Sequence, residues 1–122
     1  ALFNVVAFNG GVLPWKDGLS AATGSTRSEC VEWVNKLGAL GGTNLFDSLE
    51  QAFQDQDVDT IMILSDGEPT AGQMTEPSGI RREVLSWNED RNVRIHTVAM
   101  GGSLKILEWL AEDSDGQHTR HD

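Results

Sequence analysis

Two short stretches of this 122-residue chain carry side chains of the kind that hold cations. Gly41-Gly42-Thr43-Asn44 and Ser65-Asp66-Gly67-Glu68 each set a hydroxyl or a carboxylate beside glycine. Glycine lets the backbone approach a bound group closely, and hydroxyl and carboxylate oxygens are hard donors suited to magnesium, calcium or manganese. The same residue types cap helices and shape turns. On type alone, Thr43 and Asp66 therefore have two readings: cation ligands, or cap and turn residues.

Other chemistries find less support. A nucleophile would need Cys30 or a serine close to a histidine, but Cys30 sits in a helical apolar pattern and His96 lies inside a strand pattern, which suits a buried thiol and a structural imidazole. A single cysteine has no internal disulfide partner. His118 and His121 with Asp115 and Asp122 have the donor types for a transition metal, although the stretch lacks apolar content to order it. Asp113-Ser114-Asp115-Gly116 opens like a calcium loop but has no acidic residue at the later position that closes one, so it reads as a helix end. Neither glycine-rich phosphate signature is present. The four tryptophans, Trp15, Trp33, Trp87 and Trp109, are spread over separate elements and suit packing better than an aromatic box.

The elements that must position the two oxygen-bearing loops follow from hydrophobic periodicity. Residues 60–65 form a continuous, β-branched apolar run that breaks into Asp66-Gly67-Glu68-Pro69, a buried parallel strand delivering a carboxylate to a loop. In open α/β sheets ligands gather at the carboxyl ends of such strands. Residues 2–8 read as another buried strand, and residues 12–15, with Pro14, as an antiparallel edge strand hairpinned to it. Residues 16–27 read as a connection ending in a Thr or Ser cap. Cys30, Val31, Val34 and Leu37 then recur at helical spacing. Asn44 with Asp47 resembles a capping box before a helix whose Leu45, Phe46, Leu49, Ala52 and Phe53 share a face. After a loop containing Pro69, Gly72 and Pro77, Ile80, Val84, Leu85 and Trp87 mark a third helix. Residues 93–100 mark the next strand, and Ser103 caps a last helix with Leu104, Leu107, Leu110 and Ala111 inward. Residues 117–122 have no apolar content and are left without assigned structure. Strands alternating with helices imply right-handed crossovers and a mostly parallel sheet. Cys30, Leu49, Phe53, Ile61, Ile63, Leu107 and Leu110 are the expected core.

Composition narrows the function. The length suits one domain with a single core. Nineteen acidic against nine basic residues give a formal charge of −10, and no basic stripe exists to bind nucleic acid. A basic ligand, a divalent cation or simple solubility fits such a charge. No apolar run is long enough to span a bilayer, and no basic segment precedes an apolar one as in a signal peptide. Ala1 stands directly before a core strand pattern, so the natural start is expected upstream.

Phe3-Asn4-Val5-Val6-Ala7-Phe8, Gly41-Gly42-Thr43-Asn44-Leu45, Ile63-Leu64-Ser65-Asp66-Gly67-Glu68-Pro69-Thr70 and Arg94-Ile95-His96-Thr97-Val98-Ala99-Met100-Gly101, in this order, resemble the von Willebrand factor A domain family over nearly the whole chain. The resemblance implies an α/β, Rossmann-like three-layer sandwich, mostly parallel, with helices on both faces. It also implies a metal-ion-dependent adhesion site in which Thr43 matches the ligand of the second loop and Asp66 that of the third. The family's first loop, Asp-x-Ser-x-Ser, occurs nowhere in the sequence. The resemblance therefore implies a partial domain over residues 1–122, opening at the family's second strand and belonging to a longer parent protein.

The leading expectation is a non-enzymatic binding module that recognises a protein partner at the strand ends. Asn9, Gly10, Gly42, Asn44 and Glu68 would meet the partner, and an acidic partner side chain would complete the shell of a magnesium or other divalent ion. With the first loop missing, metal binding by this chain alone is expected to be weak or absent. Two alternatives stay open: a metal-assisted hydrolase or phosphotransferase using Asp66, and a structural interaction domain without metal.

Overall fold

The computed structural model describes residues 2–3, 6–8, 12–16, 18–36, 44–65, 69–100 and 104–121. In chain order these hold strands β1 (Leu2–Phe3), β2 (Val6–Phe8), β3 (Val12–Pro14) and β4 (Ser20–Ala21), then helices α1 (Gly24–Asn35) and α2 (Leu45–Gln54). Strand β5 (Thr60–Ser65), helix α3 (Pro77–Asn88), strand β6 (Arg94–Met100), helix α4 (Lys105–Asp113) and strand β7 (His118–His121) follow. The arrangement is α/β, as the strand and helix alternation implies, and Rossmann-like, as the family resemblance implies.

The central sheet is parallel, in the order β5-β6-β7, with Ile61 opposite Ile95, Ile63 opposite Thr97, and Thr97 opposite His118. Alternation along the strands sends Ile63, Ile95, Thr97 and Ala99 to one face, where all are buried. That face carries the core: Leu45, Phe46, Leu49 and Phe53 from α2, Ile80 and Val84 from α3, and Ile106, Leu107 and Leu110 from α4. Trp87 joins α3 to α2, its ring centroid 5.3 Å from Phe46 and 5.7 Å from Phe53. Arg81 ties α3 to α4 through a two-pronged pair with Asp113 at 2.8 and 2.9 Å, while its guanidinium lies over Trp109. The opposite face of β5 is open: Met62 is 67% exposed and Leu64 55%.

Several expectations change. Within the stretch 2–8 the described residues form two strand segments, and among the described residues neither joins the parallel sheet. β1 pairs antiparallel with β4, a strand placed where a plain connection was expected, and β2 pairs antiparallel with β3 as the hairpin pattern implied. Helix α1 starts from a Thr23 cap whose hydroxyl accepts the Thr26 N–H while Thr26 answers to the Thr23 N–H, but its apolar face is not inward. Cys30 is buried, whereas Val31 is 58% and Val34 44% exposed, because charged residues interrupt the stripe and α1 has no sheet face against it among the described residues. Leu85 on α3 is likewise exposed and lies outside the core. The tail expected to be structureless contains β7, a polar edge strand held by backbone pairing to β6 rather than by apolar burial. Ile61, assigned to the core, is half-buried at its margin.

Candidate functional site

The loop 69–73, downstream of β5, lies against the amino end of α2, and a small set of described residues holds it there. Asn44 caps α2. Its side-chain oxygen accepts the Asp47 N–H at 3.1 Å, and its amide nitrogen donates to Asp47 Oδ2 at 2.9 Å. This satisfies one of the amide donors that a helix start leaves unpaired. Asp47 then reaches the loop that follows β5: its Oδ1 accepts the Gln73 N–H at 3.5 Å, a long bond at the limit of useful geometry. Gly72 lies against the Asn44 side chain so closely that a Cβ would overlap the amide, and its φ of +101° is in the region glycine alone enters freely. Gly72, Asn44, Asp47 and Gln73 thus clamp the 69–73 loop to the start of α2.

The clamp was only partly legible. The Asn44 and Asp47 spacing announced a cap, but nothing local signalled that Gly72 and Gln73 would be its partners, twenty-six residues beyond Asp47 in the case of Gln73. Ser48, buried behind the cap, donates to the Leu45 carbonyl at 2.8 Å.

Of the expected site residues, Asn44 is described: it is 4% exposed, and its amide is turned to Asp47 as the cap of α2. Thr43, Asp66, Asn9, Gly10, Gly42 and Glu68 lie outside the described residues. Thr43 is the residue before Asn44 in sequence, and Asp66 the one after β5. The donor chemistry of that pair, a neutral hydroxyl and a single carboxylate, fits a hard divalent ion of the magnesium class and does not fit zinc or copper.

The weaker candidates resolve into structure. Among the described residues no three His, Cys, Asp or Glu side chains gather as a metal cluster. His118, considered for a terminal chelate, is instead bonded through Nδ1 to the Thr97 hydroxyl at 2.7 Å. His96 accepts the Gln117 N–H at 3.0 Å, as a structural imidazole should. Asp113 to Gly116 is a helix end: Asp115 takes φ 62°, its N–H bonds to Glu112 O at 3.3 Å, and Gly116 N–H bonds to Ala111 O at 2.8 Å. These are the paired bonds of a Schellman stop.

Comparison with known proteins agrees with this architecture. The chain is 30% identical over 120 residues to von Willebrand factor A domain-containing protein 3A of Homo sapiens, a match covering 95% of this chain and 10% of that protein. It is 33% identical over 130 residues to inter alpha-trypsin inhibitor, heavy chain 4 of Mus musculus, covering 93% of this chain and 13% of the relative. A match to inter-alpha-trypsin inhibitor heavy chain H2 of Sus scrofa, at 26% identity, covers 97% of this chain and 14% of the relative. The chain thus spans about a tenth to a seventh of the length of these curated relatives. The family model for the von Willebrand factor type A domain matches residues 1–119, and with the parallel β5-β6-β7 sheet and its helices this chain belongs to that family.

Proposed function

We propose that this domain is a non-enzymatic protein-binding module whose contact surface is the carboxyl end of β5 beside the start of α2, and that Thr43 and Asp66 hold a magnesium-type ion there. The family it belongs to consists generally of protein-interaction modules, which supports the general kind. The observation that supports the finer reading is the clamp of Gly72 and Gln73 onto Asn44 and Asp47, residues that follow the two donor loops in sequence. A bound divalent ion would supply an electrophilic centre able to accept a carboxylate oxygen from the partner. Thr43 would contribute a neutral donor and Asp66 one negative charge, leaving the ion with charge to spare for an acidic side chain.

Two protein ligands leave most of an octahedral shell to water, and magnesium sheds water reluctantly. The expected affinity of this chain for magnesium alone is therefore no tighter than roughly millimolar. Titrating magnesium into the 122-residue protein while following the backbone amide signals of Asn44 and Gln73 tests this. Shifts that saturate in that range and vanish in Thr43→Ala and Asp66→Ala support the reading. Micromolar binding means further ligands, with Glu68 the first to substitute. No response up to about 10⁻² M favours an interaction surface that works without metal.

A further inference from the structure

Asp47 stands half-buried in the first turn of α2, and its carboxylate serves two segments far apart in sequence. Oδ2 accepts the side-chain amide of Asn44 at 2.9 Å, and Oδ1 accepts the backbone N–H of Gln73 at 3.5 Å. Asn44 follows Thr43 in the chain, and Gln73 closes the stretch 66–73 that opens at Asp66. The cap of α2 does not need this carboxylate. The Asn44 oxygen accepts the backbone N–H of residue 47 at 3.1 Å, a bond that survives a change of the side chain there. Gly72 completes the seat by lying against the Asn44 amide, where a Cβ would overlap it.

The seat fixes one end of the stretch that carries Asp66. The other end is Ser65, held in β5 by pairing with β6 opposite Ala99. Anchoring both ends of a short segment removes conformations from it. A donor on a segment restricted in this way gives up less freedom when it binds an ion. The Asp47–Gln73 bond is long and therefore weak by itself, so the seat opens readily and its population responds to whatever else holds the stretch.

We infer that Asp47 is a positioning residue for magnesium, acting through Asn44 and Gln73 rather than by touching the ion, so that seating of the 69–73 loop on α2 and magnesium binding reinforce each other. The inference rests on the reading that Thr43 and Asp66 hold the ion. Such coupling is reciprocal: the factor that the seat adds to magnesium affinity is the factor that magnesium adds to the seated population. Partners in the outer shell of a metal site change its affinity by about ten- to a hundredfold, and the long bond to Gln73 points to the lower figure.

Magnesium titrations of the 122-residue protein, read from backbone amide shifts with thermal unfolding followed alongside, test this. Asp47→Ala keeps the cap bond and loses the carboxylate; Gly72→Ala keeps the carboxylate and unseats the loop. Each should weaken magnesium binding by about tenfold. The double variant should weaken it no further than the stronger single, because both act on one seat. Val84→Ala, in the core beside Ile95 near the amino end of β6, destabilises the fold without touching the seat and should leave the affinity of the folded protein unchanged. In the wild type, magnesium should slow hydrogen exchange at the Gln73 amide by about the same tenfold, a readout that needs no variant to fold. Unchanged affinity in either single variant, a multiplied loss in the double, an equal loss in Val84→Ala, or a Gln73 amide indifferent to magnesium overturns the inference. In those cases the wild type still binds and loses binding in Thr43→Ala and Asp66→Ala, so the ligand reading stands. A wild type without response up to about 10⁻² M, or one whose binding survives both ligand substitutions, fails the ligand reading and overturns the inference with it.

Discussion

At the scale of single residues, burial and backbone conformation set what each change costs. Leu49 is 2% and Ile63 5% exposed, within one continuous cluster. Leu49→Ala or Ile63→Ala removes apolar contact and leaves a cavity that the packed neighbours fill only in part, so each should cost about 2 to 5 kcal/mol, read from the urea midpoint. Gly72→Ala combines a positive φ with a Cβ that overlaps the Asn44 amide. It should destabilise by more than the ~1 kcal/mol that a strain-free Gly→Ala change gains, and it should release the Asp47–Gln73 contact, seen as altered amide signals at both residues. Glu76 caps α3, and its carboxylate is held below the usual glutamate range mainly by the Ser78 hydroxyl at 2.6 Å, then by the Gly79 N–H at 2.8 Å. A carboxyl whose folded value is lowered gives stability that is present above its unfolded value and lost as pH falls through the folded one. Urea midpoints should therefore drop on acidification below the ordinary glutamate range, and Glu76→Gln should flatten that part of the profile. The carboxylate is exposed, so the effect should be small and should shrink with salt.

At the scale of elements, helix ends decide how the strands are fed. The Schellman stop after α4 turns the chain so sharply that Gly116 sits on the Ile95 carbonyl, with no space for a side chain. Ser114 fills the same corner, its hydroxyl accepting the Ile95 N–H at 2.8 Å and donating to Leu110 O at 2.9 Å. Gly116→Ala should therefore displace β7 before it unsettles β5 or β6, and hydrogen exchange at Thr97 against Arg94 measures that order. The other end of the sheet has a comparable fastening. Arg91 donates to the carbonyls of Phe53, Asp55 and Val58 at 2.7, 2.9 and 3.3 Å, tying the end of α2 and the approach to β5 to the turn after α3. Lysine at that position would lose the fork that serves three acceptors at once.

At the scale of the whole molecule, the two edges of the central sheet are unlike. β7 is polar and carries Arg120, a device that discourages further pairing. β5 has neither charge nor proline, and no other described strand pairs with its second edge. Its outer face exposes Met62 and Leu64 together. An apolar, uncharged edge of this kind recruits strands, so the 122-residue protein should self-associate, with a sedimentation mass that rises with concentration. Met62→Lys/Leu64→Lys should restore the monomer while leaving the thermal transition cooperative. A concentration-independent monomer mass for the wild type would show that this edge is covered within one chain.

The sequence by itself determined the α/β class, the strand at β5, the helical faces of α2 and α4, the Asn44 cap and the residue types that suit a hard cation, because each rests on local periodicity or on spacing within one turn. Tertiary structure alone decided the rest. Val31 and Val34 follow a helical stripe but stay exposed, since a stripe states what a helix could bury and not whether a sheet lies against it. β7 was invisible because an edge strand is held by backbone pairing, which leaves no apolar signature. Gly72 and Gln73 joined Asn44 and Asp47 through a contact that no local pattern encodes.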